Sequence, residues 1–224
     1  MVNILLTMTA AYLVGSIPVG LIVVKVASGK DVRKVGSGRT GGTNAMRAAG
    51  WFAGLLTVLG DVTKGLASGW IAEAIFPGNN WVKVAAALLA IIGHNYSIFL
   101  VKKNENGKLK FQGGAGGATC VGGAMALWLP SLWIIFPISM IVYLLVGYAS
   151  ATTISVAVLA TIIFTIRALI GLNTYAFIFY GLLSLVIVLF ALKPNLERLK
   201  NGTERAVGLR AYILKKKQQL FKSQ

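Results

Sequence analysis

Charge is scarce in this chain: only 12% of its 224 residues are Asp, Glu, Lys or Arg, while 56% are hydrophobic. With a mean hydropathy of +0.75, that scarcity excludes an ordinary soluble domain. Cysteine is nearly absent as well. Cys120, the single one, forms no internal disulfide and lacks ligand companions at useful spacing, so neither an oxidised scaffold nor a metal site is expected. No basic stretch precedes the first apolar run, and Lys25 follows only after a bilayer-crossing length. The opening segment is therefore expected to be a retained helix rather than a cleaved signal.

What is abundant is apolar sequence in runs of spanning length. Seven can be drawn, at about 3–24, 51–76, 82–101, 115–130, 132–148, 151–171 and 174–192, the fourth and fifth poorly separated around Pro130. The expected fold is all-α, a single polytopic membrane domain over 1–224 with about seven transmembrane helices. Nineteen of the 22 Lys and Arg residues fall in three segments, Lys25 to Arg47, Lys102 to Lys110 and Lys193 to Lys222. An odd helix count puts all three on one side, which the positive-inside rule makes the cytoplasm, with the N-terminus outside. The other connections are short and almost uncharged, and Lys83 and Arg167 near them are expected to snorkel. The basic tail, about 206–224, suits anionic lipid headgroups. Nothing in the chain has a nucleic-acid-binding fold or interleaves aromatic with basic residues.

Two glycine-rich stretches interrupt the oil. "VGSGRTGGTNAMRAAG", Val35 to Gly50, holds five glycines, and these let successive backbone N–H groups converge on an anion. Its Gly36, Gly38 and Gly41 form a nominal dinucleotide fingerprint, but the strand before and the acid after are missing. Ser37, Thr40, Thr43 and Asn44 add donors, and Arg39 and Arg47 add charge, Arg47 being suited to a bidentate grip on phosphate. The second stretch, "FQGGAGGATCVGG", Phe111 to Gly123, runs into the fourth apolar segment and places Thr119 near a helix N-terminus, where anions bind. It lacks the Lys-Ser/Thr end of a nucleotide-binding P-loop. Gly113 and Gly117 also fit small-residue helix packing, so this stretch stays open between the two uses.

Three ionisable residues sit in apolar runs. Asp61 and Lys64 stand three apart on one helical face, either as a functional pair or as a structural ion pair. His94, the single histidine, is expected to be a hydrogen-bonding partner without a proton-transfer role.

Taken together, "AYLVGSIPVGLIVVK", "VGSGRTGGTNAMRAAG", "DVTKG", "GHNYSIF", "FQGGAGGAT" and "NLERLKNGTE" resemble, in order and spacing, the bacterial acyl-phosphate-dependent glycerol-3-phosphate acyltransferases, over about residues 11 to 205. The resemblance implies a multi-pass enzyme of the bacterial cytoplasmic membrane with its site facing the cytoplasm and no cofactor. It implies transfer of a fatty chain from a long-chain acyl phosphate to the 1-hydroxyl of sn-glycerol 3-phosphate, giving lysophosphatidic acid and phosphate. Carried over by motif, Ser37 and Arg47 are the catalytic pair, with Gly38, Thr43 and Asn44 beside them on the acceptor. Gly113, Gly114, Gly116, Gly117 and Thr119 cradle the donor phosphate, Asn195 and Glu204 close the site, and Asp61, Lys64 and His94 support it.

The chain also departs from the pattern it resembles. Ala115 stands where the second loop usually has lysine, Leu192 where the last motif usually has histidine, Arg39 where the first usually has asparagine, and Ser97 where proline is usual. Arg39, Lys110 and Lys193 are candidate replacements for the missing cations. Three readings follow: an active acyltransferase, a weak, silent or acceptor-changed relative, and an anion transporter. A transporter would place its glycine breaks at the bilayer midplane in repeated halves, and no internal repeat is found.

Overall fold

The computed structural model describes residues 1–103 and 106–222; the last two residues of the basic tail lie outside these. Each of the seven apolar runs contains a helix. The first run forms α1 (Val2–Ser16) and α2 (Val19–Ser28). A short amphipathic α3 (Gly42–Ala49) then leads into α4 (Trp51–Ile75) and α5 (Asn80–Asn95). After a hairpin come α6 (Gly117–Leu127), α7 (Leu132–Leu145), α8 (Ala149–Leu169), α9 (Ala176–Lys200) and the basic α10 (Gly208–Lys222). Three stretches are long and apolar enough to cross a membrane, Val2–Ser28, Ala149–Leu169 and Ala176–Lys200, and Gly117–Leu127 and Leu129–Leu145 are shorter apolar ones.

Two expectations need correction. The first run is not one continuous helix, because Pro18 has no N–H to donate and forces Ile17 out of the helical region, to φ −55° and ψ 119°. The break frees carbonyls inside an apolar bundle, and side chains from elsewhere satisfy them: Lys64 Nζ donates to Ile17 O at 3.0 Å and Ser97 Oγ to Ser16 O at 2.6 Å. Nor is the chain wholly α. The third run stops being helical at Asn95, and Ser97–Lys103 (β1) pairs antiparallel with Leu109–Gln112 (β2), Ser97 facing Gln112 and Lys103 facing Leu109. Hydropathy does not distinguish Ile98 to Val101 in a strand from the same residues in a helix.

The bundle is built around α4, α5, α6, α8 and α9. Its centre is an aromatic group: Phe164 lies edge-on to Phe177 at 5.6 Å and to Tyr180 at 6.0 Å, and the buried Tyr180 hydroxyl donates to Cys120 O at 2.6 Å. Small residues bring α4 and α6 close. A Cβ on Gly65 would overlap the Thr119 carbonyl, and one on Gly122 would lie 2.9 Å from the Leu66 amide and overlap Val62 O. The outside is the reverse of a soluble protein, since large apolar side chains such as Trp133, Leu145 and Phe190 are two thirds or more exposed. Far from the glycine loops, Lys83 pairs with Glu73 at 2.9 Å and the Arg167 guanidinium lies 3.7 Å over the Trp128 ring.

The α4–α6 contact leaves no room for a side chain, so Gly122→Leu is expected to destabilise the bundle by about 1–3 kcal/mol or more. The check is a lowered melting temperature of the purified protein in detergent, with Gly171→Ala, where a Cβ meets nothing within 4 Å but the φ is positive, as a milder comparison.

Candidate active site

The first glycine stretch packs Val35, Ala45 and Ala48 into a small cluster with Val24 and Val32, and its turn is organised around one polar side chain. Asn44, buried in the first turn of α3, donates from Nδ2 to Val35 O, Ser37 Oγ and Arg39 O at 3.1, 3.0 and 2.9 Å. Its Oδ1 accepts from Arg47 Nη1 at 3.1 Å and from the Ser37 amide at 3.5 Å. One amide thus fixes the turn, the Ser37 hydroxyl and the Arg47 guanidinium together. Gly36 and Gly38 have φ of 59° and 75°, which permits the tight path around it.

The second loop is pinned from two sides. Gly114 N donates to His94 O at 2.9 Å, and Gly113 O accepts from Thr40 N at 3.2 Å, which joins the two loops directly. Gly116, at φ 90°, caps α6, and a Cβ there would also meet Asn95 Oδ1 at 2.9 Å. Arg39 adds a second tie between the loops, with Nη1 donating to Gly114 O at 2.7 Å and Nε to Asn195 Oδ1 at 3.1 Å. Asn195 in turn donates to Glu204 at 2.9 Å, and Glu204 pairs with Arg198 at 3.3 Å. The first and third basic segments of the sequence therefore meet beside the second loop, where Arg47 also reaches Ala206 O at 3.5 Å.

Between the loops lies a cavity of about 580 Å³. Its polar end carries Ser37, Thr43, Asn44, Arg47, Asn195 and Glu204 from the sequence-expected set, together with Arg39, Arg198 and Arg205. Gly116 and Gly117 of the second loop also line it. Its other wall is apolar, formed by Trp51, Leu55 and Val58 on α4 facing Phe136 and Met140 on α7. Burial pulls the Arg47 and Arg39 guanidinium pKa values below their ordinary range, Arg198 adding to the effect at Arg39.

Some expected residues stand elsewhere. Gly38, Gly113, Gly114, Thr119 and Lys64 are not on the cavity wall. Gly113 and Gly114 act as packing points, since a Cβ on Gly114 would overlap the His94 imidazole. Gly113 precedes α6, so the pairing with Gly117 as a helix-packing motif does not arise, and Thr119 faces α4 within the bundle. Lys110 and Lys193 are exposed and do not line the cavity. Sequence reasoning missed Tyr143 and Ser150, both on the wall. The Ser150 hydroxyl is buried without a hydrogen-bond partner. Its one signal was the hydroxyl run Ser150, Thr152 and Thr153 opening an apolar segment.

Beneath the polar end lies a buried ionic group. Asp61 Oδ1 is 2.9 Å from Lys64 Nζ and 3.4 Å from His94 Nδ1, all three side chains being 5% exposed or less. Asp61 and His94 reach the cavity wall, while Lys64 spends its other bond on the Ile17 carbonyl at the Pro18 break. The group therefore connects the kinked first segment, α4 and the end of α5 that holds Gly114.

A bundle with lipid-facing apolar surfaces, closed at one end by two joined glycine loops around a cationic cavity, is an integral membrane protein built to handle a small polar group beside an apolar one. The comparisons sharpen that class. A family model described as glycerol-3-phosphate acyltransferase matches residues 5–202, and the chain belongs to this family of acyltransferases. It is 39% identical over 211 residues to a glycerol-3-phosphate acyltransferase of Thermus thermophilus, covering 92% of this chain and 96% of that one. It is 37% identical over 200 residues to one of Rubrobacter xylanophilus, covering 89% and 93%. Among solved structures, the fold is similar to that of PlsY, an integral membrane glycerol 3-phosphate acyltransferase, in its glycerol 3-phosphate form. That match has a TM-score of 0.78 and 28% identity over 94% of this chain and 98% of that one. The lysophosphatidic acid form of PlsY gives a TM-score of 0.76 at 26% identity, covering 95% and 99%.

The ionic group makes a prediction of its own. Asp61→Asn removes the counter-charge of a buried lysine and is expected to cost about 3–5 kcal/mol, whereas Asp61→Asn with Lys64→Met recovers only part of that loss, because the Ile17 carbonyl then loses its donor. Melting temperatures of the two variants in detergent decide it.

Proposed function

We propose that this chain transfers a fatty acyl group from a long-chain acyl phosphate to the 1-hydroxyl of sn-glycerol 3-phosphate, releasing inorganic phosphate and lysophosphatidic acid. The observation that carries the reading is that both glycine loops, joined at Thr40 and Gly113, open onto a single cavity with arginines at one end and an apolar wall at the other. Such a cavity suits a phosphorylated polyol and the head of a fatty acyl phosphate side by side.

In this reading Arg47 and Ser37, both held by Asn44, take the acceptor's phosphate and glycerol, with Thr43 beside them. Gly116 and Gly117, at the opening of α6, receive the donor phosphate on free helix-start N–H groups, with the Ser150 hydroxyl opposite. Gly113, Gly114 and Thr119 serve by shaping that opening from behind. The fatty chain lies along Trp51, Leu55, Phe136 and Met140. Asn195 and Glu204 fix the far wall.

The donor is a mixed anhydride and already activated, so the protein's work is alignment and charge stabilisation. The acceptor oxygen attacks the acyl carbon, the bond from that carbon to the phosphate oxygen breaks, and the phosphate leaves with the electron pair. The hydroxyl proton passes to a phosphate oxygen. No acyl-enzyme forms, and no cofactor or metal enters the step. Glycerol 3-phosphate and the acyl phosphate are the small-molecule partners, and lipid surrounds the bundle.

The membrane arrangement we propose agrees with the same geometry. Seven spans, the N-terminus outside and the C-terminus inside, put the three basic segments and the cavity at the cytoplasmic face of a bacterial inner membrane. Support comes from the hydrogen bonds that bring the first and third of those segments together beside the second loop.

Purified protein given palmitoyl phosphate and glycerol 3-phosphate is expected to release phosphate and form lysophosphatidic acid in equal amounts, with palmitoyl-CoA inert as donor. Product from palmitoyl-CoA alone overturns the donor assignment. Arg47→Ala should lower kcat/KM by about a hundredfold or more while the melting temperature changes little. Direct transfer also requires that no acylated Ser37 peptide appear when the enzyme is quenched during turnover of a slow donor, and mass spectrometry reads this.

A further inference from the structure

Arg39 is a partly buried cation with no carboxylate in ion-pair contact. Its three hydrogen bonds, to Gly114 O, Asn195 Oδ1 and Ala191 O, all go to neutral acceptors. Among the described residues no acid lies within ion-pair distance of it, and Glu204 is reached only through Asn195. A guanidinium carries five N–H donors and stays charged in proteins, so the full charge and two donors, one on each Nη, remain unspent. An ion held inside a protein without its opposite is costly, and here it lies on the wall of a cavity open to ligand. Nearby Arg198 adds to the imbalance, and the more distant Glu204 offsets part of it.

The surroundings explain why the charge comes from this loop. The two carbonyls that Arg39 holds belong to the residues just before Ala115 and Leu192. Both of these line the cavity, and neither offers a polar side-chain atom. They are also the two positions where the sequence departs from its resembled family by losing a cation-bearing residue. Arg39 enters the same space from the opposite loop.

We propose that Arg39 is a second phosphate-binding cation of the cavity, acting with Arg47, and that it also fastens the first loop to the second loop and to α9. The ligand is the phosphate group of a substrate, whether the acceptor monoester or the head of the acyl phosphate. This rests on the acyl-transfer reading for the identity of the substrates, though not for the binding of phosphate itself.

The test uses the full chain in detergent or nanodiscs, with Arg39→Gln, Arg39→Lys, Ala115→Lys and the double variant Arg39→Gln with Ala115→Lys. Arg39→Gln is expected to lose about thirtyfold in kcat/KM through a raised KM. A rise for glycerol 3-phosphate assigns the acceptor phosphate, and a rise for palmitoyl phosphate assigns the donor head. The double variant should regain at least a third of wild-type kcat/KM, since the new lysine projects from the cavity wall beside Gly114, whereas Ala115→Lys alone should bring no gain. A folded double variant no better than Arg39→Gln, or an Arg39→Gln with wild-type kcat/KM, overturns the proposal. A second readout does not depend on turnover: inorganic phosphate or glycerol 3-phosphate should raise the melting temperature of the wild type and of Arg39→Lys, and Arg39→Gln should need at least about tenfold more of either for the same rise. Should Arg39→Gln fail to fold, Arg39→Lys decides alone: a single-point cation should raise KM severalfold for one of the two substrates, and wild-type KM for both in that folded variant sinks the idea. Absence of wild-type turnover alongside intact phosphate protection would defeat the acyl-transfer reading and leave Arg39 in place.

Discussion

Two segments 75 residues apart form one cavity because their backbones are tied together where neither could hold its own shape. Glycine-rich chain has large conformational entropy to lose and little apolar surface to bury in return, so its native path must be imposed by hydrogen bonds. Thr40 to Gly113, Arg39 to Gly114 and His94 to Gly114 are those bonds. Each ends on a main-chain atom of the second loop, so the loop position depends on what the first loop and α5 do. Asn44 plays the equivalent part inside the first loop. Where the glycines of the two loops form the wall, no bulky side chain intervenes, and that leaves room for an anionic group to approach backbone amides.

The same accounting of polar groups runs through the membrane part. An interrupted helix in an apolar bundle releases carbonyls that no water reaches, and each must find a donor. At the Pro18 break Lys64 and Ser97 supply them. Lys64 is then a buried charge, which Asp61 offsets, and His94 takes the other side of Asp61. The ionisable residues that stand out in the apolar runs are thus linked to a proline 46 positions earlier in the chain than Lys64. His94 completes the connection by packing under Gly114, so the kink, the ionic group and the second loop form one continuous structure.

Much of this was legible in the sequence, and the exceptions have physical causes. Apolar run length places α4, α7 and α8 to within a few residues, because glycine, proline or charge bounds each run, whereas α9 runs through Pro194 to Lys200, eight residues past the expected end at 192. The break at Pro18 escapes a hydropathy reading, which weighs side chains and ignores a missing N–H. Ile98 to Val101 fooled it for a related reason, since oiliness carries no period over four residues. At the cavity, residue type singled out Ser37, Asn44 and Arg47, all three of which line the wall, since hydroxyl, amide and guanidinium groups stand out in a glycine turn. Spacing alone did not separate Gly116 and Gly117, which face the cavity, from Gly113 and Gly114, which lie behind it. The left-handed turn at Gly116 makes that distinction, and only coordinates reveal it. Ser150 was invisible because nothing local marks one hydroxyl in a run of three as unpaired.

Charge balance at the polar end links structure to substrate. The wall carries Arg39, Arg47, Arg198 and Arg205 against Asp61 and Glu204. Asp61 is committed to Lys64, and Glu204 to Arg198 and Asn195. Arg39 and Arg47 are thus held by neutral groups alone, on opposite sides of the turn that Asn44 organises. The like charges on this wall repel one another, and that repulsion falls when a dianion enters. Binding energy of that kind favours doubly charged groups over neutral ones, which gives selectivity without any residue reading a polyol in detail. The apolar wall beside it adds the second requirement, a chain that prefers lipid to water, and a substrate pair meeting both conditions brings its reacting atoms to the boundary between the two surfaces.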